Sequence, residues 1–396
     1  MIDFITQALA RMNRLRLLKV YKSKNISRNF KDISNMENCK VNFSKDFKFC
    51  YHELRCLYFY GYSLKSLPID FNPKNLVELS MAYSHIKQLW KGLKVNLWST
   101  HVIIFREYVM FMKATFKVKF LSWQVLEKLK FMDLSHSKYL IETPNFQGVT
   151  NLQRLVLEDC VSLRKVHSSL GDLKNLSFLN LKNCKMLKSL PSSTCDLKSL
   201  ETFILSGCSK FEGFPENFGS LEMLKELYAD EIAIRVLPSS FSFLRNLKIL
   251  SFKGCKGPLS TLWLLPRRTS NSIGSILQPL SGLCSLTTLN LSNCNLSDEP
   301  NLSSLGFLSS LEDLHLGGND FVTLPSTISR LSNLKRLELE NCRRLQALPE
   351  LPSSIYHIYA ENCTSLKGGS HQVLKSLLPT GKHQKRKFMV SSLYIP

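Results

Sequence analysis

The 396-residue sequence has no Gly-x-x-x-x-Gly-Lys-Ser/Thr loop, no Gly-x-Gly-x-x-Gly fingerprint and no His-Glu-x-x-His pair. Their absence removes the usual signatures of phosphate, dinucleotide and zinc-hydrolase chemistry. Gly317-Gly318 and Gly368-Gly369 are too short to cradle phosphates. The nine histidines are scattered, and no nucleophile recurs at a fixed spacing from a base, so an enzyme is not expected. The twelve cysteines include no Cys-x-x-Cys pair, which argues against a metal site, and no cofactor is expected. Residues 1–20 lack the continuous apolar core and cleavage site of a secretory leader. A cytoplasmic, possibly nuclear, chain with free thiols is therefore the expectation, and its six Asn-x-Ser/Thr sequons would go unused.

Negative charge is also scarce, with 31 Asp/Glu against 52 Lys/Arg and a net charge of +21. The imbalance is local. Residues 1–130 hold 23 basic and 9 acidic groups, residues 131–366 hold 23 and 22, and residues 367–396 hold 6 and none. A nucleic-acid binder would be basic throughout. No nucleic-acid or membrane partner is expected, and any electrostatic partner should meet the ends.

What the sequence has in abundance is one phrase, L-x-x-L-x-L-x-x-C/N-x-x-L-x-x-L-P. It is clear in Leu176, Leu179, Leu181, Cys184, Leu187, Leu190 and Pro191, and again in Leu334, Leu337, Leu339, Cys342, Leu345, Leu348 and Pro349. The first leucines fall at 129, 152, 176, 200, 224 and 247, in steps of 23 or 24. That period specifies a leucine-rich-repeat solenoid. The fold expected is an α/β repeat: a horseshoe with a concave parallel β-sheet and an irregular or short-helical convex side.

Each letter has a physical role. L-x-L alternates in and out, so it is a short strand with its leucines in the core. The position held by Cys160, Cys184, Cys208, Cys255, Cys294, Cys342 and Cys363 turns the chain inward while its side chain satisfies backbone groups. Cysteine does this as a small buried apolar group with a weak S–H donor, and asparagine with its amide. The Leu-Pro pair then ends the strand-free return. Earlier copies begin at Leu54 and Leu76, and Leu15, Leu18 and Val20 mark another.

The organisation expected is a degenerate N-terminal repeat or cap (1–50), repeats (51–95), a foreign insertion (96–125), repeats (126–255), a loop insertion (256–281), repeats (282–367) and a basic tail (368–396). Removing residues 96–125 restores the 23-residue step from Leu76 to Leu129. That segment carries Trp98, Phe105, Tyr108, Phe111, Phe116, Phe120 and Trp123 in irregular order, and is too charged to span a membrane. A functional loop and an unplanned insertion, such as translated intron, both remain open for it. In the second interruption Trp263 reads either as a binding anchor or as a ring tucked against the solenoid edge. The run Lys382–Lys387 reads either as a nuclear signal or as a solvated charge run.

The middle x of L-x-L faces out from the concave sheet. That column reads Val156, Asn180, Ile204, Tyr228, Ser251, Asn290, His315 and Glu338, flanked by Arg154, Glu158, Phe178, Lys182, Asp230, Lys253 and Arg336. A constant framework carrying a variable column suits partner recognition, and Tyr228, Phe178 and Arg336 are the residue types that dominate interfaces.

The phrasing resembles the plant intracellular immune receptors of the TIR–nucleotide-binding–leucine-rich-repeat class, the tobacco N-like disease resistance proteins. The similarity lies in Leu-Arg-Cys-Leu-Tyr-Phe (54–59), Asn-Leu-Val-Glu-Leu-Ser-Met (75–81), Ile-Lys-Gln-Leu-Trp-Lys-Gly (86–92) and Asn-Leu-Gln-Arg-Leu-Val-Leu-Glu-Asp-Cys (151–160). The resemblance implies recognition of a pathogen effector or a host guardee, contact with the receptor's nucleotide-binding domain, and a part in holding the receptor off. A truncated form is the expectation, with a stand-alone scaffold or inhibitor of a host protein as the alternative. On this register Leu179→Ala opens a core cavity and should cost about 2–5 kcal/mol in denaturant unfolding; a loss below about half a kcal/mol would show the register to be wrong.

Overall fold

The computed structural model describes residues 14–20, 52–68, 71, 73–90, 126–234, 237–255, 278–296, 300–366 and 387–389. The expected insertion (96–125), Trp263 and Lys382–Arg386 lie outside the described residues. The described residues form one parallel sheet of 14 strands, ordered as they occur in the chain. Each strand but the last centres on the first inward residue of a coil's L-x-L or its counterpart. Thus β5 (Arg154–Val156) lies beside β6 (Phe178–Asn180), with Leu155 opposite Leu179.

Both interruptions leave the register intact. β3 (Glu78–Ser80) pairs with β4 (Phe131–Asp133), Leu79 opposite Met132. β9 (Ile249–Ser251) pairs with β10 (Thr288–Asn290), Leu250 opposite Leu289. At the start, β1 (Leu17–Val20) is the repeat expected around Leu18. At the other end, Lys387–Met389, placed in the tail by the sequence reading, forms β14 and pairs with β13 (His357–Tyr359).

The inward leucines close an apolar spine in which Leu155, Leu179, Leu227, Leu250, Leu314 and Leu337 are fully buried. Proline acts differently from expectation. Pro191, Pro238 and Pro325 do not close the return but open 3₁₀ turns at Ser192–Asp196, Ser239–Phe243 and Ser326–Arg330. The ring's fixed φ, −65° at Pro191, suits the entry to such a turn. Neighbouring 3₁₀ turns touch closely: a Cβ on Gly219 would sit on the Ser240 carbonyl oxygen. Beneath them Phe214, Phe218 and Phe241 pack as a triangle, with ring-centroid distances of 4.5, 5.6 and 5.7 Å.

The turn at the end of each strand is built twice over. One residue has positive φ: Gly61, Tyr83, His136, Asp159, Asn183, Gly207, Glu231, Gly254, Asn293, Gly318, Asn341 and Asn362 in successive coils. Glycine and asparagine prevail because a side chain strains this conformation. At Gly207 a Cβ would also strike the Asn183 amide. The next residue points inward and donates backward. The Cys160 thiol bonds Leu134 O (3.2 Å), Cys184 bonds Leu157 O (3.2 Å), Cys208 bonds Leu181 O (3.1 Å) and Cys363 bonds Leu339 O (3.1 Å). Asn319 does more, donating to Leu291 O and Leu316 O while accepting from the N–H groups of Cys294 and Leu296. Ser137 serves one coil earlier, and Ile232, with no donor, leaves one rung empty.

All the described cysteines are free. Burial pushes the thiols of Cys160, Cys208 and Cys294 from the ordinary 9.0 up to about 12. Two outcomes follow. Asn319→Ala should cost about 2–4 kcal/mol in urea unfolding, because it orphans buried carbonyls and N–H groups, and Asn319→Cys should cost less because a donor remains. Since burial keeps the folded Cys160 and Cys208 thiols protonated above about pH 9, iodoacetamide at about pH 9 should label exposed Cys284 and spare Cys208 until the chain is unfolded. Equal labelling in the folded state would show an open ladder.

Candidate functional site

The outward positions of the strands form one continuous band, and the structure divides the expected residues into groups. The first spans β5 and β6. The Arg154 guanidinium lies over the Phe178 ring, 3.8 Å from its centroid. Glu158 pairs with Lys182 Nζ at 3.2 Å and accepts from the Asn180 amide at 3.2 Å. Val156 is half-buried between these strands' outward groups. A cation held flat on an aromatic face beside an ion pair offers a partner both area and charge.

A second group lies across β11 (Asp313–His315) and β12 (Arg336–Glu338). His315 Nδ1 meets Glu338 Oε2 at 2.5 Å, and Arg336 Nη1 lies 3.6 Å from Asp313 Oδ1. Six strand spacings separate the two groups, about 29 Å along the sheet. One compact ligand would not readily span both.

Between them Asp230 holds the structure together. Its carboxylate accepts from Ser206 Oγ, Ser251 Oγ and the Lys253 N–H. Lys253 is exposed, and Ile204 is half-buried. Tyr228 is half-buried with its hydroxyl 3.4 Å from Glu226; burial and that carboxylate raise its pKa.

Two outward positions depart from the expectation of an open column. Asn180 and Ser251 are each only 7% exposed. Asn180 Oδ1 accepts from the Lys182 N–H at 2.9 Å, turning the side chain back onto its own strand. Asp133 and Asn290 do the same with Ser135 and Ser292. An Asn or Asp in this column thus serves the turn as much as the surface.

The sequence reading missed the positive-φ column along the rim of the sheet. Tyr83 stacks on His136 at 4.4 Å, His136 Nδ1 lies 3.2 Å from Asp159, and Asp159 accepts from the Asn183 amide at 2.8 Å. The signal was present as the residue before each inward cysteine. It also left out the outward positions of the first coils, where Lys19, at the middle of its L-x-V, lies 4.7 Å over Tyr58, and where Phe131, just ahead of inward Met132, is 36% exposed. On the far side a shallow groove between 3₁₀ turns is lined by Cys195, Lys198, Asn217 and Phe243. Among the described residues no cluster of His, Cys, Asp and Glu is placed to hold a metal, and no helix is long and apolar enough to cross a membrane.

A family profile described as "Disease resistance protein RPS4B-like, leucine-rich repeats" matches residues 196–370, and a leucine-rich-repeat profile matches residues 75–94. The chain is 30% identical over 94% of its length to disease resistance protein RPS4B of Arabidopsis thaliana. It is 33% identical over 87% to disease resistance protein RPS4 of the same species, and 29% identical over 92% to TMV resistance protein N of Nicotiana glutinosa. It spans 26%, 25% and 33% of those proteins, respectively.

Proposed function

Because this chain is a leucine-rich-repeat solenoid whose repeats are those of plant disease resistance proteins, we propose that it is the protein-binding, sensing portion of an intracellular immune receptor. It recognises a pathogen effector, or the host protein that the effector attacks, on the outward face of its sheet. It acts by binding and not by catalysis. The observation that carries this reading is the group on β5 and β6, where Arg154 covers Phe178 beside the Glu158–Lys182 pair. An exposed arginine fixed over a half-buried ring on a rigid sheet loses little freedom on binding, so the pair suits an interface centre. By similarity to the resistance proteins, the same repeats contribute to holding a nucleotide-binding domain inactive.

The test is a pairwise binding screen of the chain against pathogen effectors and their host targets, followed by titration of each partner found. Arg154→Ala combined with Phe178→Ala should weaken a true partner about tenfold or more. Arg343→Ala, off the sheet face, should change little. A partner held equally well by the double variant would overturn this assignment of the face.

A further inference from the structure

The near-neutral charge of the regular repeats hides a sorting by face. In each coil the six residues after the inward turn position run down one flank: 63–68, 85–90, 138–143, 161–166, 185–190 and 209–214 in the first six of these coils. Together these segments carry eight Lys/Arg and two Asp/Glu. The contrast is sharpest over residues 144–222. There the flank segments hold five cations and one anion, while all the remaining residues hold four cations and seven anions.

Backbone hydrogen bonds align this flank into a second short ladder. The Lys87 N–H donates to Lys65 O (2.9 Å), Ile141 to Lys87 O (3.3 Å), Arg164 to Ile141 O (2.8 Å), and Glu212 to Lys188 O (3.0 Å). Parallel bridges Glu142–Lys165 and Ser189–Gly213 extend it. The side chains therefore rise in rows at roughly the 5 Å spacing of adjacent strands. All eight cations are exposed, Lys165 pairing with Glu142 at 3.0 Å. Between the cations stand large apolar groups facing solvent: Leu64 is 40% exposed, Tyr139 52% and Ile141 48%.

We propose that this flank docks on an anionic phospholipid surface. Evenly spaced cations match a sheet of negative headgroups, and exposed aliphatic and aromatic groups enter the headgroup boundary. The groove described above lies instead among the 3₁₀ turns. A row of cations repeated from coil to coil suits a plane of charge. This contact runs against the expectation of no membrane partner, which counted charge along the chain and not by flank.

The test is cosedimentation of the full chain with phosphatidylcholine vesicles, with or without phosphatidylserine. The strip variant carries Lys87→Glu, Arg164→Glu and Lys188→Glu; the control carries Lys174→Glu, Lys198→Glu and Arg245→Glu on the 3₁₀ side, an equal change in net charge. Circular dichroism checks that both fold. Wild type should bind the serine-containing vesicles and release with salt, the strip variant should lose at least about tenfold, and the control should lose far less. Equal losses in both variants would overturn the proposal, since the basic ends alone would then explain binding. So would loss on deleting residues 96–125 with the strip variant unimpaired. Vesicle binding unchanged in the strip variant, together with lost binding to a single-stranded oligonucleotide or a poly-glutamate peptide, would assign the strip to that partner instead.

Discussion

The structure depends on a constraint at one carbonyl per coil. After the second leucine of L-x-L the chain must leave the sheet and pass over an apolar core, where water cannot reach the oxygen left behind and an N–H of its own coil, such as that of Cys160 on Leu157 O, fills one of its two lone pairs. A residue of positive φ bends the chain, and the next side chain, reaching back from the following coil, bonds that oxygen. Sulfur, hydroxyl and amide all serve, as Cys184, Ser137 and Asn319 show. What the coils share is less a residue than a donor of suitable length at a fixed place.

This explains how much of the fold was legible. Leu179 and Leu337 announce themselves by period, and the sheet, its order and its register follow from aligning them. The cysteine column was readable as a ladder because its spacing is constant and it lacks the pairing of a metal site. The role of proline was not. A Leu-Pro pair reads as a stop, yet Pro191 is the first step into a 3₁₀ turn, because the same φ that refuses a sheet suits that turn. Residues 387–389 were hidden for a different reason: Lys387, Phe388 and Met389 carry no leucine phrase, and their strand is defined by its pairing with β13.

The site was legible as a set of positions but not as a set of contacts. Sequence spacing places Arg154 and Phe178 on neighbouring strands, but only the geometry lays one over the other. It likewise shows that Asn180 and Asp230 spend their polar atoms on the chain itself, so an outward position is not always an available one. Charge behaved similarly. Totals along the chain sorted the ends from the middle, whereas the fold sorts charge by flank at a period that a running total averages away.

The ladder also has a direction. Each donor lies some 24 to 27 residues downstream of the oxygen it bonds in most coils. That oxygen already accepts an N–H of its own coil, as Leu157 O does from Cys160, so a coil emerging from a ribosome gains its second bond only when its successor has been made and has turned inward. Most coils are reinforced by the next, so the growing solenoid carries its least reinforced edge at its newest end. Release of the chain at any codon within the repeats leaves that edge exposed unless a different kind of strand covers it, and here β14 lies in that position against β13.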